Sequence, residues 1–490
     1  MNLYHSLCES IDVDPVDSIT DMVDFSNVTR LADAHMADRL ANALSVFVDL
    51  VIEQEKPVLN KVDRWFIDTL IAQLDKLLSA QLDAILHHKD FKQLEAAWLS
   101  LYHLLDKVDA KANSFVYLLN IDKETLKEDF DDALDITQSG LYKQVYDQAY
   151  DMPGGKPIST MISGFSFSHA LTDVQLLTDI SKVSASAHCP YIANIDPIFF
   201  GKKSIEEINN INNLSEYIER PEYIHWNRFR EMDQSRYIGL TLPKFLLRLP
   251  YGSQNPVRGF LYEENVSGID HYKYTWGAAS YAFGGNLAIA FKKHGWTVNI
   301  RGPESGGKVD DLNLHQYDVG RGIEYKIPTE VLISESKELE LSHVGLIPLS
   351  YYKDSKHACF FSANSVSKPI LYDDKAATAN SRVNSRLPYV FLASRLGHYL
   401  KVIQRENIGG TKDRGVLEQE LNRWLGGLIT KMANPSADLV ASRPLKEGKV
   451  LVSEIDENPG FFKVSLHIIP HFQVEGIDVK LSLVSQIPVQ

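Results

Sequence analysis

The chain has 490 residues, 44% of them hydrophobic and 23% charged, an ordinary globular balance with no low-complexity segment. Its 50 lysines and arginines against 64 aspartates and glutamates give a formal charge of −14, which argues against a nucleic-acid binder, whose affinity comes mostly from neutralised phosphates. No run approaches the about 18 apolar residues of a membrane span, and the start, MNLYHSLCESIDVDP, has neither the basic nor the apolar region of a secretory leader, so a cytoplasmic protein without membrane insertion is expected.

The first elements read as helices. Asp14 and Pro15 make a helix start: an N-cap, then a proline whose missing N–H costs nothing there. Leu40, Leu44, Phe47, Val48 and Val51 recur at helical spacing until Pro57 ends the pattern. A second helix carries Leu70, Leu74, Leu77, Leu78, Leu82 and Ile85 on one face, and a third contains FKQLEAAWLSLYHLL. From about residue 115 β-rich runs such as SFVYLLNI alternate with helical ones, and DMPGGKP, 151–157, is a turn-rich break. A helix (DVQLLTDISKVSASAH), a strand (PYIANI), a helix (AASYAFGGNLAIAFKKHG) and a strand (WTVNIRG) follow. Near residue 365 the texture changes to a long helical region in which Pro388 is tolerable at a helix start. The C-terminal part is β: Phe462, Val464, Leu466 and Ile468 alternate with polar residues, as do Ile477, Val479, Leu481 and Leu483. The expected fold class is mixed α/β, with a helical segment over 1–60, an α/β region over 61–365 and a C-terminal domain with terminal strands over 366–490.

Several stretches could carry chemistry. SRYIGLTLPKFLLRLPYG, 235–252, sets Arg236, Lys244 and Arg248 among apolar residues, and buried cations are rarely tolerated unless paired. GPESGGKV, 302–309, matches a phosphate-binding loop, which would make Lys308 the lysine of a nucleotide hydrolase. However, Val309 stands where Ser or Thr should ligate magnesium, and Asp310 and Asp311 follow where an anion is unwelcome. A loop fixed by backbone geometry is the expectation. His188-Cys189 suggests a thiolate and its base, yet adjacent residues seldom point the right way, so Cys189 is expected to be a buried structural thiol. The three cysteines, Cys8, Cys189 and Cys359, are far apart and imply no disulfide framework. His467 and His471 lack a third ligand, and His87-His88 end a helix. No catalytic residue, cofactor site or metal site is assigned. Residues 381–405 reverse the chain's charge, with Arg382, Arg386, Arg395, Lys401 and Arg405 and no acid. Leu392, Leu396, Tyr399, Leu400 and Ile403 give the apolar face of that helix. Arg395, His398, Lys401 and Arg405 are expected away from it, either solvated or docking an acidic partner.

The segments AQLDKLLSAQLDAILHHKDFKQLEAAWLSL, VSASAHCPYIANIDPIFF, SRYIGLTLPKFLLRLPYG, YTWGAASYAF, GWTVNIRGPESGGKVDDL, PTEVLISESKELELSHVGLIPLSYYK, LPYVFLASRLGHYLKVIQRENIGG and IIPHFQVEG resemble, in order, the large subunit of the type VI secretion contractile sheath (the TssC/VipB family, IglB in a divergent branch). Leu99 stands where an arginine commonly follows the tryptophan, and SESKELEL replaces a more basic run, which suggests a divergent branch with adapted partner surfaces. The resemblance implies a structural protein, not an enzyme, with a contractile-tail-sheath-like C-terminal domain. The implied partners are a small sheath subunit (TssB/VipA/IglA-like), an Hcp-like inner tube, neighbouring copies in a six-fold helical sheath, a baseplate, and a ClpV- or ClpB-like AAA+ ATPase that recycles the contracted form. A phage-derived tail sheath outside type VI secretion is the alternative. Under the resemblance, Ile477, Val479, Leu481 and Leu483 are expected to link subunits. Leu3, Leu7, Ile19 and Met22, apolar positions with an acidic rim, are expected to meet the ATPase, and Arg395, Lys401 and Arg405 to meet a partner. The stretch at 235–252 then reads as scaffold, with Arg236 and Arg248 ion-paired or at an interface.

Overall fold

A computed structural model of the chain describes residues 64–258, 260–268, 270–353, 355–406, 414–432, 435–454 and 462–471. In chain order its main helices are α1 (Arg64–Leu86), α2 (Lys89–Lys107), α3 (Lys123–Asp132), α4 (Leu171–Ala187), α5 (Ile224–Arg230), α6 (Ala279–His294), α7 (Glu335–His343), α8 (Lys375–Asn384), α9 (Leu387–Glu406) and α10 (Arg414–Gly426). The strands are β1 (Met161–Phe167), β2 (Tyr191–Ile195), β3 (Ile238–Leu242), β4 (Phe245–Leu246), β5 (Trp276–Gly277), β6 (Lys308–Val309), β7 (His315–Asp318), β8 (Ile323–Lys326), β9 (Ile347–Tyr351), β10 (Ala358–Phe360), β11 (Leu445–Glu454) and β12 (Phe462–Pro470). The fold is mixed α/β.

The chain forms two compact units. Among the described residues, one takes 64–103, Lys244–Ala278 and Asp311–Glu330, and the other the remaining stretches. In the first unit β4 pairs with β5 and β7 with β8, both antiparallel. Asn313 donates from Nδ2 to the carbonyls of Leu246 and Leu247, at 3.4 and 2.8 Å.

The second unit is built on a six-stranded sheet in the order β1-β2-β3-β9-β10-β6. β1, β2, β3 and β9 run parallel; β10 is antiparallel to β9 and β6. Every residue of β2 and β3 is buried, as befits a parallel sheet covered on both faces. Alternation along β2 sends Tyr191, Ala193 and Ile195 into a core with Val174, Leu177, Ile180 and Val183 of α4. Asn194 turns the other way, toward α6. Its Oδ1 accepts from the Ser280 N–H (3.1 Å) and the Thr241 hydroxyl (2.8 Å), and its Nδ2 donates to Ser280 Oγ (3.0 Å) and to the Ser163 and Phe165 carbonyls (3.2 and 3.3 Å). Those two carbonyls lie where the β1–β2 register shifts, so the side chain satisfies groups the ladder leaves open. Gly239 is required in β3, because a Cβ there would meet Ile192 and Leu387 at 2.8 Å.

Toward the C-terminus, Trp296, Val298, Leu392, Leu396, Leu421, Leu425, Leu445, Val450 and Val452 form a separate core in the same unit. β11 and β12 pair over their whole lengths, as the alternation in 462–468 predicts. Gly448 lets β11 approach α10, since a Cβ would meet Leu425 at 2.8 Å. Pro388 sits at the second position of α9, where a proline needs no partner for its nitrogen. The helical region expected there is two helices, α8 and α9. Two expectations fail. WTVNIRG alternates in burial, with Trp296, Val298 and Ile300 inward, but joins no ladder. SFVYLLNI belongs to no strand and no helix.

Candidate functional site

Arg248 is the most constrained cation of the first unit. Its Nε donates to Glu95 Oε1 at 2.5 Å and its Nη1 to Glu264 Oε2 at 2.7 Å, with the arginine and Glu95 side chains each 12% exposed and that of Glu264 1%. α2 brings Glu95, and the segment after β4 brings Arg248. Glu95 also accepts from the Thr275 hydroxyl at 2.7 Å, and Glu264 from the Tyr251 N–H at 2.9 Å and the His87 ring at 3.1 Å. Burial alone would raise the Glu264 carboxyl, but hydrogen bonds from His87 and Arg248 outweigh it and hold the group at about 2. With both carboxylates turned to it, the Arg248 guanidinium is held by Glu95 and Glu264 and is not open to an anionic ligand. Lys244 of the same stretch donates its backbone N–H to Glu330 Oε2 at 2.9 Å, and Arg236 is exposed, its guanidinium 5.4 Å from the Tyr237 ring.

The glycine-rich loop at 302–309 is likewise occupied. Gly302 donates to the Phe360 carbonyl at 2.7 Å, Gly307 to the Gly302 carbonyl at 2.8 Å, and Phe360 returns a bond to Gly307 at 2.8 Å. The Gly302 and Gly307 amides are therefore spent on carbonyls. Gly306 has φ +85°, and a Cβ there would lie 2.1 Å from the Asn299 carbonyl oxygen, so backbone geometry alone demands glycine. The loop leads into β6, not a helix, and Lys308 pairs with Asp310 at 2.8 Å.

His188 and Cys189 do not form a dyad. His188 ends α4 in the left-handed conformation (φ 51°), with Nδ1 3.1 Å from the Tyr237 hydroxyl. Burial, then the charges of Lys401 and Arg236, lower it to about 4. Cys189 is fully buried, and burial pushes its thiol far above the usual range. Cys359 is also buried, its thiol raised to about 12. Among the described residues no group of His, Cys, Asp and Glu could hold a metal, and no helix is long and apolar enough to cross a membrane.

The cations of α9 lie against the chain itself. Arg395 donates to Ser159 Oγ and the Tyr399 hydroxyl, both at 3.3 Å, and stacks over Phe291 and Tyr399. Lys401 donates to the Ser186 carbonyl at 3.1 Å and lies over the rings of Tyr146 and Tyr150, at 4.9 and 4.4 Å. Arg405 reaches the carbonyls of Ala149, Tyr150, Met152 and Gly155, at 3.2–3.4 Å. These targets belong to or follow the π-helical segment Lys143–Asp151, where Tyr142, just before it, stacks on Tyr146, and Tyr150 lies tilted against Tyr146. His398 corrects the expectation that it lies off the packed face: it is buried, donating from Nε2 to the His188 carbonyl at 2.9 Å, and burial lowers it to about 4. α9 is covered on two sides, a breadth that an apolar stripe does not announce. The sequence reading also missed an exposed apolar stripe on α2, Leu94, Trp98, Tyr102 and Leu105 at helical spacing. Ile477, Val479, Leu481, Leu483, Leu3, Leu7, Ile19 and Met22 lie outside the described residues.

Residues 68–367 match the VipB family, described as the EvpB/VC_A0108 tail sheath N-terminal domain, and residues 376–487 match its tail sheath gpW/gp25-like domain. The chain is 37% identical over 456 residues, 92% of its length and 91% of the relative's, to the type VI secretion system sheath protein TssC1 of Pseudomonas aeruginosa. This chain belongs to the TssC/VipB family of type VI secretion sheath large subunits. Among solved structures it is similar to a chain of the anti-feeding prophage baseplate (10% identity, 76% of this chain and 84% of that one, TM-score 0.38). It is also similar to the contracted anti-feeding prophage sheath (11%, 72% and 76%, TM-score 0.35). Membership makes the chain a contractile sheath subunit, a structural component. The closed Arg248 cluster and the occupied glycine loop are then parts of a sheath subunit's scaffold.

Proposed function

We propose that the chain pairs with a small sheath subunit and that the pairs stack, with neighbouring copies, into a six-fold helical tube around an Hcp-like inner tube. Contraction of that sheath drives the inner tube and its effectors outward, and the chain catalyses no reaction itself. The observation that supports this reading most is a large exposed apolar surface: Leu94, Trp98, Tyr102 and Leu105 on α2, and Phe115 to Leu119 beyond it, are exposed. A monomer rarely leaves such surface open unless another chain covers it. A helical tube needs contacts that do not close on themselves, and terminal strands suit it because their backbone bonds persist while bodies rotate.

In this reading residues 1–60 carry the recycling signal, with Leu3, Leu7, Ile19 and Met22 offered to a AAA+ ATPase. Residues 61–365 form the body. Residues 366–490 supply the links, through Ile477, Val479, Leu481 and Leu483. Arg395, Lys401 and Arg405 keep part of their charge toward solvent and contribute to docking an acidic partner surface. The sheath works in the bacterial cytoplasm on a baseplate. The test is imaging in a type VI-competent cell in which the chain, fluorescently fused, replaces the resident large subunit. Long cytoplasmic rods that shorten abruptly and then dissolve support the reading; diffuse fluorescence at normal protein level contradicts it.

A further inference from the structure

The last turns of α9 meet the ends of two other helices. A helix leaves its final carbonyls without donors of its own. In α4 the N–H groups of His188 and Cys189 take the Ser184 and Ala185 carbonyls. The next three carbonyls are met from elsewhere. Lys401 Nζ donates to Ser186 at 3.1 Å, the Tyr150 hydroxyl to Ala187 at 2.8 Å, and His398 Nε2 to His188 at 2.9 Å. Tyr150 belongs to the π-helical segment 143–151, which ends at the same place. There Arg405 Nη1 lies 3.4 Å from the carbonyls of Ala149, Tyr150 and Met152, and Nη2 lies 3.2 Å from that of Gly155. Position 155 needs glycine, because a Cβ would lie 2.3 and 2.7 Å from the Gln148 and Ala149 carbonyl oxygens.

His398, Lys401 and Arg405 are three and four residues apart and form one stripe of α9. Two helix C-termini, each with a partial negative charge, converge on that stripe, and its lysine and arginine supply the opposite charge. This accounts for a run, 381–405, that carries no acid in a chain of charge −14. The apolar face of α9 is used differently. Leu392 and Leu396 share a core with Leu421, Leu425, Val450 and Val452, and Leu400 and Ile403 pack against it. α9 lies in the stretch matched by the gpW/gp25-like domain, and the carbonyls it holds lie in the stretch matched by the N-terminal sheath domain. One face of the helix thus serves the C-terminal core and the other holds the body.

We propose that this stripe is a load-bearing joint, which carries the pull on the C-terminal links into the six-stranded sheet when the sheath contracts. The proposal rests on the reading above, in which residues 366–490 supply the links, and adds the route by which their pull reaches the body. The chain leaves α9 at Glu406 on its way to α10, β11 and β12, so a pull arrives at the end of the helix that Lys401 and Arg405 hold. The anchored carbonyls stand just ahead of two neighbouring strands: His188 precedes β2 at Tyr191, and Gly155 precedes β1 at Met161. Holding both ties α9 to the sheet at two points. Hydrogen bonds weaken steeply with misalignment, so bonds to fixed carbonyls resist sliding as well as separation. A π-helical segment is rare and is found mostly at functional sites, and here donors from α9 secure its end.

Hydrogen–deuterium exchange on the full chain, followed by shearing of tubes made with the small sheath subunit, tests this. Arg405→Gln keeps a donor but loses the charge and the planar fork. Peptides spanning 143–155 should exchange about tenfold faster than in the parent, while β2, β3, β11 and β12 keep the parent's rates. Tubes of the variant should form and, under equal shear, break into shorter pieces than parental tubes. Unchanged exchange in 143–155 shows that Arg405 does not hold the segment and overturns the joint. Faster exchange spread through β2 and β3 makes the arginine a general stabiliser of the fold and overturns it as well. Loosened 143–155 in tubes that break no shorter than parental ones overturns the load-bearing role. Failure of the variant alone to form tubes assigns Arg405 to assembly and overturns that role too. Failure of the parent to form tubes overturns the sheath reading and the load-bearing role together.

Discussion

At the scale of single residues, Arg248 and the buried histidines dominate. Arg248→Met would leave Glu95 and Glu264 buried without their cation, which costs about 3–5 kcal/mol. The loss should appear as faster amide exchange in the first unit, around β4 and β5, with the six-stranded sheet unchanged. His188 and His398 are both held at about 4 by burial, below the unfolded value of about 6.5. An unfolded chain therefore binds more protons between those values, so the stability these histidines contribute is complete above about pH 6.5 and is lost as pH falls toward 4. His398→Gln keeps a donor toward the His188 carbonyl and cannot titrate; its unfolding midpoint should fall less steeply over that window than the parent's. The paired state of Arg248 was legible from its apolar setting. Its partners were not, because Glu95 is 153 residues away and nothing local marks it. Arg236 shares the same stretch but is exposed, since it precedes the buried strand in a short turn.

At the scale of elements, the glycine-rich loop separates backbone from chemistry. Lys308→Ala removes a half-exposed ion pair worth about 0–1 kcal/mol and should leave sheath assembly unchanged. Gly306→Ala forces a Cβ onto the Asn299 carbonyl and should disrupt the loop, lowering soluble yield. Equal loss from both substitutions, with nucleotide binding by the parent, would restore the phosphate-loop reading. Charge reversal of Arg395 and Lys401 should weaken assembly more at low salt than at high salt, where attraction to an acidic partner is screened. A loss independent of salt, with faster exchange in residues 143–151, would assign these cations to their intramolecular contacts alone. Helices α1 and α2 were legible because apolar residues repeat at helical spacing, and β12 because its residues alternate. WTVNIRG and SFVYLLNI misled for one physical reason. Pattern reports an extended, apolar chain, whereas a strand also needs an edge to pair with, and pairing is decided by distant sequence.

At the scale of the whole molecule, a chain of charge −14 carries long apolar stripes and occupied polar clusters, a combination suited to ordered assembly. Family membership was legible because matching segments run through most of the chain in order, as the match over 68–367 and 376–487 bears out. The composition of the first unit was not legible: its three stretches are separated by up to about 140 residues, and no composition shift marks the joins. Deleting residues 477–490 should abolish tubes while leaving the six-stranded sheet folded. The most direct measurement is electron microscopy of the full chain co-expressed with the small sheath subunit. The account predicts hollow helical tubes containing both chains in equal amounts. A monodisperse complex or monomer that never forms tubes, with the fold intact by circular dichroism, would contradict it.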